Sequence, residues 1–180
     1  KATHRQTRVC GFIKKGDIFM DIFDTDFHCH VLPGIDDGAH DLDESVALIN
    51  MQLAQGVRHI VATPHYRMHE MSVDRFINRR GNAFNKLVNS KAFEKMPDIM
   101  LAAEVALEHN LCELPDIKRL ANKRMNTILI ELPYENYRRW MSEEIEEIAY
   151  KTGLQIIIAH LDRYADIYSS SDYNDIFNIP

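Results

Sequence analysis

Short apolar runs recur along the chain at intervals of about 30 to 40 residues, each followed by a helical pattern, and this alternation restricts the fold to βα units on a parallel sheet. The runs are the strand around His28 and His30, then Val57 to Ala62, Ile99 to Ala103, Met125 to Ile130 and Leu154 to Ala159. They are apolar throughout rather than alternating, which predicts strands buried on both faces. Each run ends in a side chain foreign to a core: His28 and His30, His65, Glu104, Glu131 and His160. In a βα barrel the carboxyl ends of the strands surround one mouth, where active sites are built. An α/β fold of this kind would gather all six side chains.

The segments between the runs carry their own start and stop signals. Asp41-x-x-Glu44 resembles a capping box with Asp in place of the usual Ser or Thr, and Val46, Ile49 and Leu53 follow at helical spacing. A helix is expected over 42–55, ended by Gly56 in the left-handed conformation. Ser72 caps a second, with Phe76, Ala83, Phe84 and Leu87 as its buried stripe through about residue 93. A short helix is expected over 113–123, with Pro115 in its first turn. Another is expected from Ser142, with Glu143 and Glu144 in its first turn and Met141, Ile145, Ile148 and Ala149 inward. Glu143, Glu144, Glu146 and Glu147 fall mostly opposite that stripe and read as a solvated face. Gly153 repeats the role of Gly56, and residues 164–180 are polar without a clear pattern. Residues 1–20 read as a basic N-terminal extension, ahead of one domain over 21–180.

With 180 residues, 46% hydrophobic and 27% charged, the chain has room for one sizeable core. A net charge of -6 argues against nucleic acid as a partner. The apolar runs fall far short of the roughly 20 residues of a membrane span, and no signal-peptide pattern precedes the first strand, so the cytoplasm is the expected location. Three cysteines, Cys10, Cys29 and Cys112, without a CxxC pattern, argue against a disulfide framework or a cysteine-based zinc site. A cysteine phosphatase needs an Arg six positions after its Cys. Here those positions hold Gly16, Ile35 and Lys118. Gly-rich phosphate loops of the GxxxxGK[ST] or GxGxxG type are also missing.

Successive strand residues face opposite ways, so His28 and His30 share a face, and a loop with Pro33, Gly34 and Gly38 then carries Asp36 and Asp37 beside them. A His-x-His pair alone also arises by chance. Five strand ends of this kind are not explained by packing, because a buried polar group without a partner costs on the order of 1 to 3 kcal/mol. A multinuclear metal site accounts for all of them. Mixed imidazole and carboxylate ligation suits manganese, iron or zinc, and carboxylates able to bridge favour a cluster. Such a site activates water and clamps the oxygens of an in-line displacement, which points to phosphoester hydrolysis. Arg163 is placed to hold a phosphate oxygen, and Asp37 either to bind a metal or to pass a proton to the leaving group. Asp36 reads as a turn former, and Arg67 as a second candidate for phosphate. His69 reads as a plain loop residue, while His4, His40, His59 and His109 lack the strand-end context.

The segments Asp-x-His-x-His, Leu-Pro-Gly-Ile-Asp-Asp-Gly, Ala-Thr-Pro-His, Ala-Ala-Glu, Ile-Glu-Leu and Ala-His-Leu-Asp-Arg-Tyr, in this order, resemble the polymerase and histidinol phosphatase (PHP) superfamily. Within it the chain is most similar to the bacterial manganese-dependent tyrosine phosphatases of capsule and exopolysaccharide synthesis, over about residues 24 to 175. The resemblance implies a distorted TIM-like βα barrel with a di- or trinuclear centre, manganese first and iron or zinc as alternatives. It implies His28, His30, His65, Glu104, Glu131 and His160 as metal ligands, with Asp37 and Arg163 near the phosphate. The implied substrate is the phosphotyrosine-bearing tail of a polysaccharide-synthesis tyrosine kinase. Asp162 stands where the family usually has Glu, and the family's later Asp-x-His motif does not occur before Pro180. The barrel is therefore expected to be incomplete at its C-terminus, by about 60 to 80 residues. The other readings are a PHP phosphoesterase for a small metabolite such as histidinol phosphate, and a non-catalytic metal-binding regulatory module. Oligomeric state is left open.

Overall fold

The computed structural model describes residues 24–93 and 97–179; the basic extension over 1–20, with His4 and Cys10, lies outside them. Strands β1 (Thr25–Cys29), β2 (His59–Ala62) and β4 (Asp98–Leu101) form one parallel sheet in the order β1-β2-β4. Strands β3 (His65–Tyr66), β5 (Glu104–Ala106), β6 (Thr127–Glu131) and β7 (Gln155–Ile158) form a second, also parallel, in the order β3-β5-β6-β7. The two sheets are joined by two interrupted strands. β2 and β3 are one run broken at Thr63-Pro64, where proline has no N–H for the ladder, and β4 and β5 are one run broken at Ala102-Ala103. Pairing continues through the break, with Ala102 N donating to Ala62 O at 2.9 Å and Glu104 N to Pro64 O at 3.1 Å. Thr63 compensates on the other side: its N donates to Cys29 O and its Oγ1 accepts from Cys29 N.

All the expected runs are therefore present and lie side by side in chain order, the winding of a barrel rather than of a doubly wound sheet. Among the described residues they do not close into one. The breaks also correct the strand limits, since His65 and Glu104 begin β3 and β5 instead of ending the runs before them. Burial on both faces holds for the middle of β2 and β6, whereas β1, β4 and β7 are only partly covered.

Helix α1 (Leu42–Ala54) starts as expected, with the Asp41 carboxylate accepting from Glu44 N; the reciprocal bond comes from His40 N to Glu44, one residue before the cap. Gly56 takes the left-handed conformation, φ +94°. Helix α2 (Val73–Asn89) is capped by Ser72 and buries Phe76, Ala83 and Leu87, with Phe84 half-buried. Helix α3 (Arg139–Thr152) starts three residues before the expected point. Ser142 is not a cap: its hydroxyl donates to Arg139 O and accepts from Tyr137, and no acidic residue lies in the first turn. Glu144 is only partly solvated, because it accepts from the backbone of Asn110 and Cys112. The expected helix over 113–123 is replaced by 3-10 turns at Leu111–Glu113 and Ile117–Arg119. The polar tail holds α4 (Ser170–Phe177), begun by a Ser169/Asp172 capping box.

Each sheet has its own core. Val31, Leu32, Ile49, Ile60 and Leu87 pack under the first, and Tyr66, Phe76, Ile128, Ile130, Met141, Ile145 and Tyr164 under the second. Each such side chain contributes about 1.5 to 3 kcal/mol on burial. Helix α2 reaches both cores, with Phe76 in one and Leu87 in the other. No helix among the described residues is long and apolar enough to cross a membrane.

Candidate metal centre

The seam between the sheets is where the polar strand ends meet. Glu104, at the start of β5, is fully buried, and its Oε2 lies 3.0 Å from His28 Nε2, 3.0 Å from His30 Nε2 and 3.1 Å from His65 Nδ1. Its Oε1 lies 3.2 Å from His160 Nε2. These nitrogens stand at ion-pair distance but out of hydrogen-bond alignment, so neither oxygen has a hydrogen-bond partner. A buried carboxylate left that way is costly, and a cation between the groups removes the cost. Three sets of donor atoms lie close enough to hold an ion: His28, Glu104 and His160; His30, His65 and Glu104; His30, Asp36 and Asp37. Glu104 belongs to two of them, the position of a bridging ligand.

Burial works against the charged form of Glu104, but the imidazoles of His28 and His30 outweigh it and hold the carboxyl well below the usual range. For His30 burial again opposes charge, and Asp36 and Glu104 reverse it, raising the imidazole to about 10. Burial lowers His160. His160 also sits at φ +48°, a left-handed backbone uncommon outside glycine, just past the end of β7, with its ring toward Glu104.

Asp36 does more than shape the turn. It accepts from His30 Nδ1 at 2.7 Å, from His65 N at 3.1 Å and from Gly38 N at 3.1 Å, which turns His30 Nε2 toward Glu104 and His28 Nε2. Gly38 is needed where the loop crosses β1's end, since a Cβ there would stand 2.3 Å from His30 O. Asp37 is 81% exposed, with Oδ1 3.3 Å from His65 Nε2. Glu131, expected as a ligand, stands outside the three donor sets. It is 4.0 Å from His65 and accepts from Arg163 at 2.9 Å. Arg163, on the 3-10 turn Leu161–Tyr164, is 46% exposed. Asp26 was not singled out for a role, yet it accepts from His28 N and from the Gln52 amide, fixing the end of β1. Arg67 is turned to Glu70, His69 to Glu108 and His59 to Asp98, and His109 stacks on Trp140.

Fold and site together define a parallel α/β protein with a candidate polynuclear metal centre at its strand ends. The chain belongs to the CpsB/CapC family, described as capsular polysaccharide synthesis, whose sequence model matches residues 24–178. It is 30% identical over 144 residues to the tyrosine-protein phosphatase YwqE of Bacillus subtilis, covering 79% of this chain and 56% of the relative. To the tyrosine-protein phosphatase CpsB of Streptococcus agalactiae it is 25% identical over 148 residues, 82% of this chain and 60% of the relative. A solved structure, from work on YwqE from Bacillus subtilis and CpsB from Streptococcus pneumoniae as unique metal-dependent tyrosine phosphatases, superposes with a TM-score of 0.62 at 26% identity, covering 77% of this chain and 56% of the other. The chain thus spans somewhat over half the length of these relatives.

Proposed function

We propose that the chain acts in a metal-dependent phosphoester hydrolase with phosphotyrosine as substrate, built on a distorted PHP-type barrel whose domain begins near residue 21. The observation that carries this reading is Glu104, a buried carboxylate without hydrogen-bond partners amid four imidazole nitrogens. That donor set fits a divalent cation, manganese first and iron or zinc next. His28, His160 and Glu104 would hold one ion, and His30, His65 and Glu104 another, with Glu131 and Asp37 at the margin. When bound, the ions supply Lewis acidity toward the phosphate and activation of the attacking water.

The remaining work falls to the protein's own groups. Arg163 holds a phosphate oxygen, and Glu131 fixes its guanidinium. Asp37, exposed at the rim, delivers a proton to the departing phenolate oxygen. Asp36 holds the His30 ring by its Nδ1 with Nε2 turned to the cluster. The protein substrate in this reading is the phosphotyrosine-bearing tail of a polysaccharide-synthesis tyrosine kinase, met in the cytoplasm; what supports it is that the relatives are named tyrosine-protein phosphatases and the family is described by capsular polysaccharide synthesis.

A thiol nucleophile does not fit the described residues. Burial pushes the Cys29 thiol up to about 12 and, helped by Glu144, the Cys112 thiol up to about 11, so neither is a thiolate at neutral pH. Chelation should therefore abolish hydrolysis of a phosphotyrosine peptide, and thiol alkylation should leave it largely intact; the reverse pattern overturns the reading. Faster turnover of small alkyl phosphates than of the peptide would move the substrate to a small metabolite.

A further inference from the structure

Five large apolar side chains stand exposed among the described residues, and four of them, Met51, Val88, Tyr150 and Phe177, lie on helices. Tyr134, 66% exposed, lies on the loop that follows the carboxyl end of β6. It is three residues past Glu131, so the two Cα atoms are within about 11 Å of each other. Its ring packs against Tyr164, centroids 6.0 Å apart. Tyr164 directly follows Arg163, is fully buried and donates its hydroxyl to Leu132 O at 2.5 Å. An exposed aromatic face thus rests on a buried, hydrogen-bonded ring whose neighbour in the chain is Arg163, the residue assigned to phosphate.

We propose that Tyr134 is a specificity-determining platform against which the aromatic ring of an aryl phosphate packs while its phosphate reaches Arg163 and the Glu104 cluster. The inference rests on the hydrolase reading for its substrate and on Tyr134's own position for its geometry. Edge or offset contact between two rings adds to binding beyond the area covered, and an alkyl phosphate cannot make it. The platform thereby separates phosphotyrosine from phosphoserine before any chemistry occurs.

The test compares binding of phenylphosphonate and methylphosphonate, neither hydrolysable, to the manganese-loaded chain by titration calorimetry, alongside hydrolysis of phenyl phosphate. Wild type should prefer phenylphosphonate, and Tyr134→Ala should cut that preference about 5- to 10-fold while Tyr134→Phe keeps it within about 2-fold. Thermal melts of the variants establish that each is folded. An unchanged ratio in Tyr134→Ala, equal loss in Tyr134→Phe, or no preference in wild type overturns the platform. A wild-type chain that discriminates the phosphonates but hydrolyses no aryl phosphate supports the platform and overturns the hydrolase reading.

Discussion

The inner wall of the candidate site and its rim are built on opposite principles. Inside, Glu104 is fully buried and His30 is held on a second side by Asp36, so little can move. At the rim, Asp37 and Tyr134 are mostly exposed and Arg163 is about half so. Electrostatic contacts strengthen where water is excluded and weaken where it screens them. In the proposed reading the interior would hold the ions, and the more exposed side chains of the rim would meet the substrate.

That division can be broken at its inner end first. Glu104→Gln keeps the shape and removes the charge shared by two donor sets, so metal content should fall in both and turnover by at least about 100-fold. Elemental analysis of the purified variant checks this, and loss of a single ion would show that Glu104 serves one set only. Gly38→Ala should come next. The added Cβ would stand 2.4 Å from His30 Cβ and 2.3 Å from its carbonyl, backbone and near-backbone atoms that cannot swing aside. About 1 to 3 kcal/mol of stability should be lost, visible as a melting temperature several degrees lower; an unshifted melt would mean the loop relaxes freely. Arg163→Lys, at the rim, should be mildest. A point charge replaces a planar fork, so KM for a phosphotyrosine peptide should rise about 10-fold with metal content unchanged. Metal loss in that variant would place Arg163 with the inner wall.

What the sequence disclosed follows the range of each interaction. The runs leading up to His28, His30, His65, Glu104, Glu131 and His160 could be read because period and position in a βα unit are local properties, and the structure brings all six to one seam, although His65 and Glu104 open new strands there. The place of Asp36 beside His30 could be read too, but its bond to His65 N could not, because that partner lies 29 residues away and only folding sets the two together. The sheet break was hidden for the same reason: Thr63-Pro64 looks like an ordinary turn until Thr63 is seen pairing with Cys29. Ser142 misled in the other direction. It has the side chain of a helix cap, but its hydroxyl is used by Arg139 and Tyr137 inside a helix that begins without any side-chain cap.

The interrupted strands have a mechanical consequence. His28 and His30 ride on the first sheet, while His65, Glu104, Glu131 and His160 ride on the second, and the sheets are joined at two short peptide segments with separate cores beneath them. A displacement of about 1 Å between donor groups is enough to spoil a reactive geometry. The alignment of the centre is therefore a reading of how the two halves are docked. A tilt of one sheet against the other, begun far from any histidine, would shift His28 and His30 relative to Glu104.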